Sequence, residues 1–526
     1  MPNDVAKLYE DVCRYARRTA VFTSIESVLF WDERTQMPAA GAEHRAEQCT
    51  LMAGLVHKRW VDPKFGEQLA EMAAALEEMG TGTSPETNLS GWVDRGSEPV
   101  PISSAAVNIR RLKRQYDKKV KLPQSLVEEL ARTAVLGQQS WQEARQKDDF
   151  PAFRPLLERM FELKRQQAEA LGYSQCAYDA LLDEYEPEEL TANVRPVLAG
   201  LREQLVPLAA EIQHCGRQPN ASILHGKFPG NVQDALGRRA ATAIGFEFAR
   251  GRLDVTAHPF CASLGPNDHR ITTRYDEQFF NAALFGILHE AGHGLYEQGL
   301  PPENYGLPLG EAISLGIHES QSRLWENLVG RSRAFWTHFY PQAQQSFPEA
   351  LGGVPIDDFY FAVNDVRPSL IRVEADEATY NLHILVRFEL EQALLDGDLE
   401  VSDLPAAWNE KYQKYLGITP PNDRLGVLQD VHWSAGLVGY FPTYSLGNLY
   451  AAQFFAQAEA ELGGLAEQFA RGEFHALLGW LREKIHRHGQ RYTAAELVQR
   501  VTGRPLSARP LIEHLRAKMG ALYGIG

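Results

Sequence analysis

Residues 289 to 293 read His-Glu-Ala-Gly-His. On a helix, two histidines four positions apart share one face, so both imidazoles can reach a single cation. Glu290 projects beside them, placed to take a proton from a metal-bound water. Zinc suits the pair because imidazole nitrogen is a good ligand for it, and the ion brings the pKa of its water to about 7. A catalytic zinc also needs a third protein ligand and an open position. The downstream run from Glu311 to Asn327 offers Glu311, His318, Glu319 and Glu326. Glu319 follows His293 by 26 residues, enough chain for the first helix to end, turn and return antiparallel with a carboxylate. Gly316 would let the two helices approach closely, and Glu311 and Glu326 read as solvated helix charges.

The elements that must position these groups are mostly helical. The histidine helix is expected to start near Asp276 and to stop at Gly299, before Leu-Pro-Pro. In residues 124 to 146, Leu126, Leu130, Ala134 and Trp141 share one face behind Pro123, a residue suited to a helix start. Similar amphipathic stretches cover 4–29, 43–78, 152–171, 194–213, 382–396 and 453–519. One region breaks the pattern. Between Asp254 and Tyr275, Pro259, Gly265, Pro266 and Asn267 interrupt two short runs, the second rich in β-branched and aromatic residues. This predicts a small antiparallel β-ribbon beside the histidine helix. The Gly, Pro, Ser and Thr punctuation near 79–104 predicts a surface insertion. With no repeat and no linker visible, residues 1–526 are expected to form a single domain.

Composition bounds the partners. Hydrophobic residues at 44% and charged residues at 23% place the chain among folded globular proteins. A formal charge of −15 argues against nucleic acid or an anionic membrane, which need a basic face. Five scattered cysteines, none in a C-x-x-C pair, suggest neither a disulfide framework nor a thiolate metal site. Together with charges where a signal peptide would carry its apolar core, they predict a cytoplasmic protein.

Six signatures, in order, resemble one family. They are His258-Pro-Phe260, Asp268-His-Arg-Ile-Thr272, His289-Glu-Ala-Gly-His293, His318-Glu-Ser-Gln321, Ile371-Arg-Val-Glu-Ala-Asp376 and Gly426-Val-Leu-Gln-Asp-Val-His-Trp433. The chain resembles the M32 metallocarboxypeptidases of the thermostable carboxypeptidase Taq type, densely over 258–450. Earlier the likeness is thinner, as in Phe30-Trp-Asp-Glu-Arg-Thr-Gln-Met-Pro38. The resemblance implies a large, mostly α zincin with a deep substrate groove, a homodimer, and removal of single C-terminal residues with broad specificity. It implies Glu319 as the third metal ligand, beside His289 and His293, and Arg372 as the group that binds the substrate's terminal carboxylate. A guanidinium is chemically apt for that, offering a planar, permanently charged fork. His432 with Tyr440 or Tyr444 is similar to the histidine and tyrosine that related helical zinc peptidases aim at the tetrahedral intermediate, Tyr444 being preferred. His258 and Arg270, on the ribbon, would help hold the peptide.

The expected function is zinc-dependent carboxypeptidase action on peptides with free C-termini, with Co2+ or Mn2+ as possible substitutes for Zn2+. Two rivals differ in class. An oligoendopeptidase or dipeptidyl carboxypeptidase on the same scaffold would place the terminal carboxylate elsewhere. A non-catalytic peptide-binding scaffold would lack Glu290 or a ligand, and this chain lacks neither.

Overall fold

The computed structural model describes residues 3–79 and 104–526. The insertion expected near 79–104 falls, but for its two end residues, outside that description. Helices dominate, as the amphipathic stretches predict, and two of those stretches are divided. The run 43–78 breaks at Asp62, whose side chain accepts from Lys64 N and caps a new helix, Pro63–Glu78. The run 453–519 spans parts of five helices, beginning with Pro442–Leu462 and ending with Arg509–Tyr523.

One large apolar cluster runs through most of the chain. A smaller one is built by Val12, Ala16, Phe65, Leu69, Met72, Leu76, Ile109 and Leu112 of the N-terminal helices. No described helix is long and apolar enough to cross a membrane.

The single sheet among the described residues has three short strands: β1 (Gly251–Val255), β2 (Cys261–Ser263) and β3 (His269–Thr273). The strand order is β1-β3-β2. The antiparallel ribbon is present as β2 and β3, with Ala262 opposite Arg270. The segment from Leu253 does not supply its antiparallel partner: β1 runs parallel to β3, Leu253 opposite Ile271. Buried Leu253 and Ile271 bring that pairing into the main core.

The histidine helix covers Asn281–Gly299, starting later than Asp276. The residues before it are engaged elsewhere, since His225 and Phe279 form a β-bridge and Phe280 N donates to Leu224 O.

At the far end of the chain, the C-terminal helix Arg509–Tyr523 is tied to Glu377, the residue that follows the Ile371–Asp376 segment, by a buried ion pair. Lys518 Nζ donates to Glu377 Oε2 at 2.6 Å, with both side chains 6% exposed, and His514 Nε2 lies 3.0 Å from Glu377 Oε1. Burial alone would raise the Glu377 pKa, but Lys518 and His514 outweigh it and hold the group at about 2. A depressed carboxylate pKa contributes stability above its ordinary value of 4.5, and that contribution is lost as pH falls from 4.5 toward about 2. Glu377→Gln strands Lys518 without its counter-charge and is expected to lower stability by about 3 kcal/mol at neutral pH. Urea melts should show that loss and a flatter dependence on pH below 4.5; equal midpoints and slopes would remove the pair from this account.

Candidate metal centre

Three elements converge on the histidines. The helix Leu315–Arg323, capped by Ser314 Oγ on Ile317 N, runs beside Asn281–Gly299, and Pro442–Leu462 packs on its other side. Glycines set both spacings. A Cβ at Gly292 would lie 2.6 Å from Gln321 O and Ser322 Cα, so only glycine lets the histidine helix press on the chain that carries Glu319. A Cβ at Gly447 would stand 2.5 Å from Glu319 Cγ. Gly316 does something other than expected: it faces Glu186 and Tyr450 rather than the histidine helix.

His289, His293 and Glu319 come together as a group whose potential ligand atoms all lie within 4.8 Å of one another. Glu319 Oε2 is 3.3 Å from His293 Nε2 and 3.7 Å from His289 Nε2. Donors about 2.0 to 2.1 Å from a tetrahedral ion are separated by about 3.3 Å, so these groups fit a divalent cation with little movement. The remaining nitrogens are engaged. His289 Nδ1 lies 2.9 Å from Glu326 Oε2. His293 Nδ1 lies 2.5 Å from His318 Nδ1, and His318 Nε2 lies 2.9 Å from Glu297 Oε1. An ionised carboxylate can only accept, so both chains assign the proton to Nδ1 of each metal-facing histidine and leave its Nε2 lone pair free.

Charge follows the same arrangement. Burial lowers the His293 pKa to about 4, keeping it neutral as a ligand must be. Burial would lower His289 too, but the Glu319 and Glu326 carboxylates reverse the direction. Glu319 is held well below the carboxylate range, because Arg323 and the two histidines outweigh its burial. Glu290, 6% exposed, is pushed up to about 7 by burial; the neighbouring His289 opposes the rise, and the Glu319 and Glu326 carboxylates add to it.

From sequence alone, Glu326 reads as a solvated charge. It is instead mostly buried on a π-helical segment, Leu324–Gly330, and bonded to His289. Its signal was present in the spacing: Glu319, Arg323 and Glu326 follow one another at helical intervals on one face. Glu311 lies before the helix Leu315–Arg323 and accepts from Gln490 Nε2, away from the three-residue group.

A second polar cluster adjoins. Arg372, 4% exposed, gives Nε and Nη2 to Asp430 Oδ1 at 3.1 and 2.8 Å and Nη1 to Tyr380 OH at 3.0 Å. Arg387 donates Nε to Asp430 Oδ2 at 2.6 Å. Two permanent cations therefore share one carboxylate, and Asp430 is driven far below its ordinary pKa by them despite its burial. His432 Nε2 is 3.4 Å from Tyr444 OH, and the Tyr440 and Tyr444 rings meet edge to face. Burial lowers the His432 pKa to about 4, and burial raises both tyrosines, so His432 is neutral and both phenols are protonated at neutral pH. Arg270 is engaged on the sheet, forked onto Asp268 at 2.8 Å twice and stacked over Trp31 at 4.3 Å. His258 is exposed in the turn between β1 and β2.

The family model for Carboxypeptidase Taq (M32) metallopeptidases matches residues 11–519. The chain belongs to the M32 metallopeptidase family. Thermostable carboxypeptidase 1 of Thermus thermophilus is 48% identical, covering 98% of this chain and 99% of the relative. Carboxypeptidase 1 of Bacillus subtilis is 36% identical over 96% and 97% of the two chains. Among solved structures, the M32 carboxypeptidase from Deinococcus radiodurans R1 superposes with a TM-score of 0.90 at 41% identity, over 98% of this chain and 100% of that one. This M32 chain is thus a peptidase, a hydrolase of peptide bonds, and the family is one of divalent metal enzymes, for which His289, His293 and Glu319 are a fitting donor set.

Proposed function

We propose that the protein is a zinc carboxypeptidase that removes single residues from free C-termini with broad specificity. The observation that carries this reading is the donor triad His289, His293 and Glu319 with buried Glu290 on the same helix, beside a cluster with one more cation than anion. When bound, zinc supplies Lewis-acid activation of water and of the scissile carbonyl. Glu290 takes the proton of the attacking water and returns it to the leaving amine. His432, with Tyr444 favoured by its contact to His432 Nε2, donates to the developing oxyanion, and Tyr440 is the alternative donor. The unbalanced charge of Arg372 and Arg387 against Asp430 attracts the terminal carboxylate, with Arg372 as its anchor. His258 and Arg270 steady the rest of the peptide beside the sheet. The family resemblance supports a homodimer, and the unpaired cysteines support a cytoplasmic setting.

The test is chelation followed by a product count. A strong chelator should abolish hydrolysis and zinc should restore it; cobalt or manganese should restore part of it. Mass spectrometry of a mixed peptide library should show products shortened by one residue. Products shortened by two, or internal cuts, would favour the dipeptidyl carboxypeptidase or oligoendopeptidase reading, and activity in metal-free protein would end the zinc reading.

A further inference from the structure

The geometry points to Arg323 as the positioning residue of the metal centre, one guanidinium that fixes the coordination of Glu319 and braces His289 through Glu326. Arg323 Nε donates to Glu319 Oε1 at 2.7 Å. That turns Oε2, which also accepts from Ser322 Oγ at 3.3 Å, toward both histidine Nε2 atoms as the oxygen placed to ligate. A carboxylate with both oxygens free could chelate through the pair or rotate away; the bond from Arg323 disfavours both by occupying one lone pair of Oε1 and fixing the plane of the group. Its second prong, Nη1, lies 3.3 Å from Glu326 Oε2, the oxygen that accepts from His289 Nδ1.

The guanidinium is itself confined. Its side chain is 13% exposed, and its face lies 4.3 Å over the Tyr380 ring, whose hydroxyl accepts from Arg372. Arg323 closes the helix Leu315–Arg323 where the π-helical turn Leu324–Gly330 begins, a device common at functional sites.

Charge and position predict opposite signs. As a bare cation, Arg323 repels a divalent ion, so its removal would tighten binding. As a brace, its removal loosens two of the three ligands. The inference rests on the reading of Glu319 as a ligand, so the experiment tests both. Zinc dissociation constants are measured by competition with a chromogenic chelator for wild type, Glu319→Ala, Arg323→Met, Arg323→Lys and the double variant Glu319→Ala/Arg323→Met. Circular dichroism melts of each metal-free protein report folding.

Arg323→Met should weaken zinc by about 10- to 100-fold, the usual effect of losing a group that orients a ligand. Arg323→Lys should weaken it by about 10-fold or more, because a point charge cannot span Glu319 and Glu326. In the Glu319→Ala background the further loss from Arg323→Met should shrink, since its main partner is gone. If Glu319→Ala weakens zinc but Arg323→Met binds it equally or more tightly, the brace is refuted and the ligand reading stands. If Glu319→Ala leaves affinity unchanged, the ligand reading itself fails. Should Arg323→Met not fold, Arg323→Lys carries the test, and wild-type affinity there overturns the inference.

Discussion

Glu290→Gln will lower turnover by about 10²-fold or more and leave zinc content unchanged. Glutamine keeps the shape and polarity of the side chain and cannot accept a proton. Glu290 sits between the metal-facing histidines in sequence but is absent from the donor triad, so its loss should not loosen the ion. Burial raises its pKa in the metal-free centre, and the charge of a bound divalent cation would draw it back down, favouring the ionised form that accepts a proton from water. The ionised form is the base, so wild-type efficiency should fall on the acid side as Glu290 takes up a proton, and the residual activity of the variant should lack that acid limb. Steady-state kinetics across pH, with zinc measured on the same samples, decide the matter. Wild-type turnover in the variant would remove Glu290 from the chemistry, and loss of zinc would recast it as part of the shell.

Arg372→Ala should lower kcat/KM on free-acid peptides by roughly 30-fold to several thousandfold and leave amidated peptides unaffected. The proposed contact between Arg372 and the terminal carboxylate would be charge-assisted and buried, a class worth on the order of 2 to 5 kcal/mol. Amides never make it, and wild type should already cleave them poorly. The fold should tolerate the change, because Asp430 keeps Arg387 at 2.6 Å and is not left unpaired. Arg372→Lys should recover only part of the loss, since a point charge lacks the planar fork that spans Asp430 and Tyr380. Efficiencies on matched acid and amide peptides, in wild type and variant, test the assignment. Equal losses on both would point to a structural role through Asp430, and Arg387 would be the next arginine to examine.

Much of this was legible before any fold was known. The spacing of His289 and His293 fixes their shared face through the helical repeat alone, and Glu290 comes with them. Helix content was equally plain, because apolar residues recur at helical intervals along most of the chain. The division of 453–519 was less so, since periodicity shows that residues are helical but not where capping and tertiary contacts end one helix and start the next.

The sheet shows a different limit. The ribbon's β-branched run announced strands, but the parallel docking of β1 on β3 depends on burying Leu253 with Ile271, a contact between segments that local pattern cannot specify. Likewise the sequence assigns Gly316 an approach to the histidine helix that Gly292 makes instead, because a glycine's spacing does not say which neighbour it will meet.

What the sequence by itself determined was the chemistry available: two imidazoles and a base on one helical turn, with a carboxylate a helix away. Only the tertiary structure decided the electrostatic state of those groups. Glu326 on His289 and His318 on His293 are bonds between packed segments distant in sequence. Each acts over a few ångströms in a space from which water is largely excluded, where one neighbour sets which nitrogen carries the proton. Such distances follow from how helices cross, and helix crossings are set by side-chain packing across the whole molecule rather than by the local order of residues.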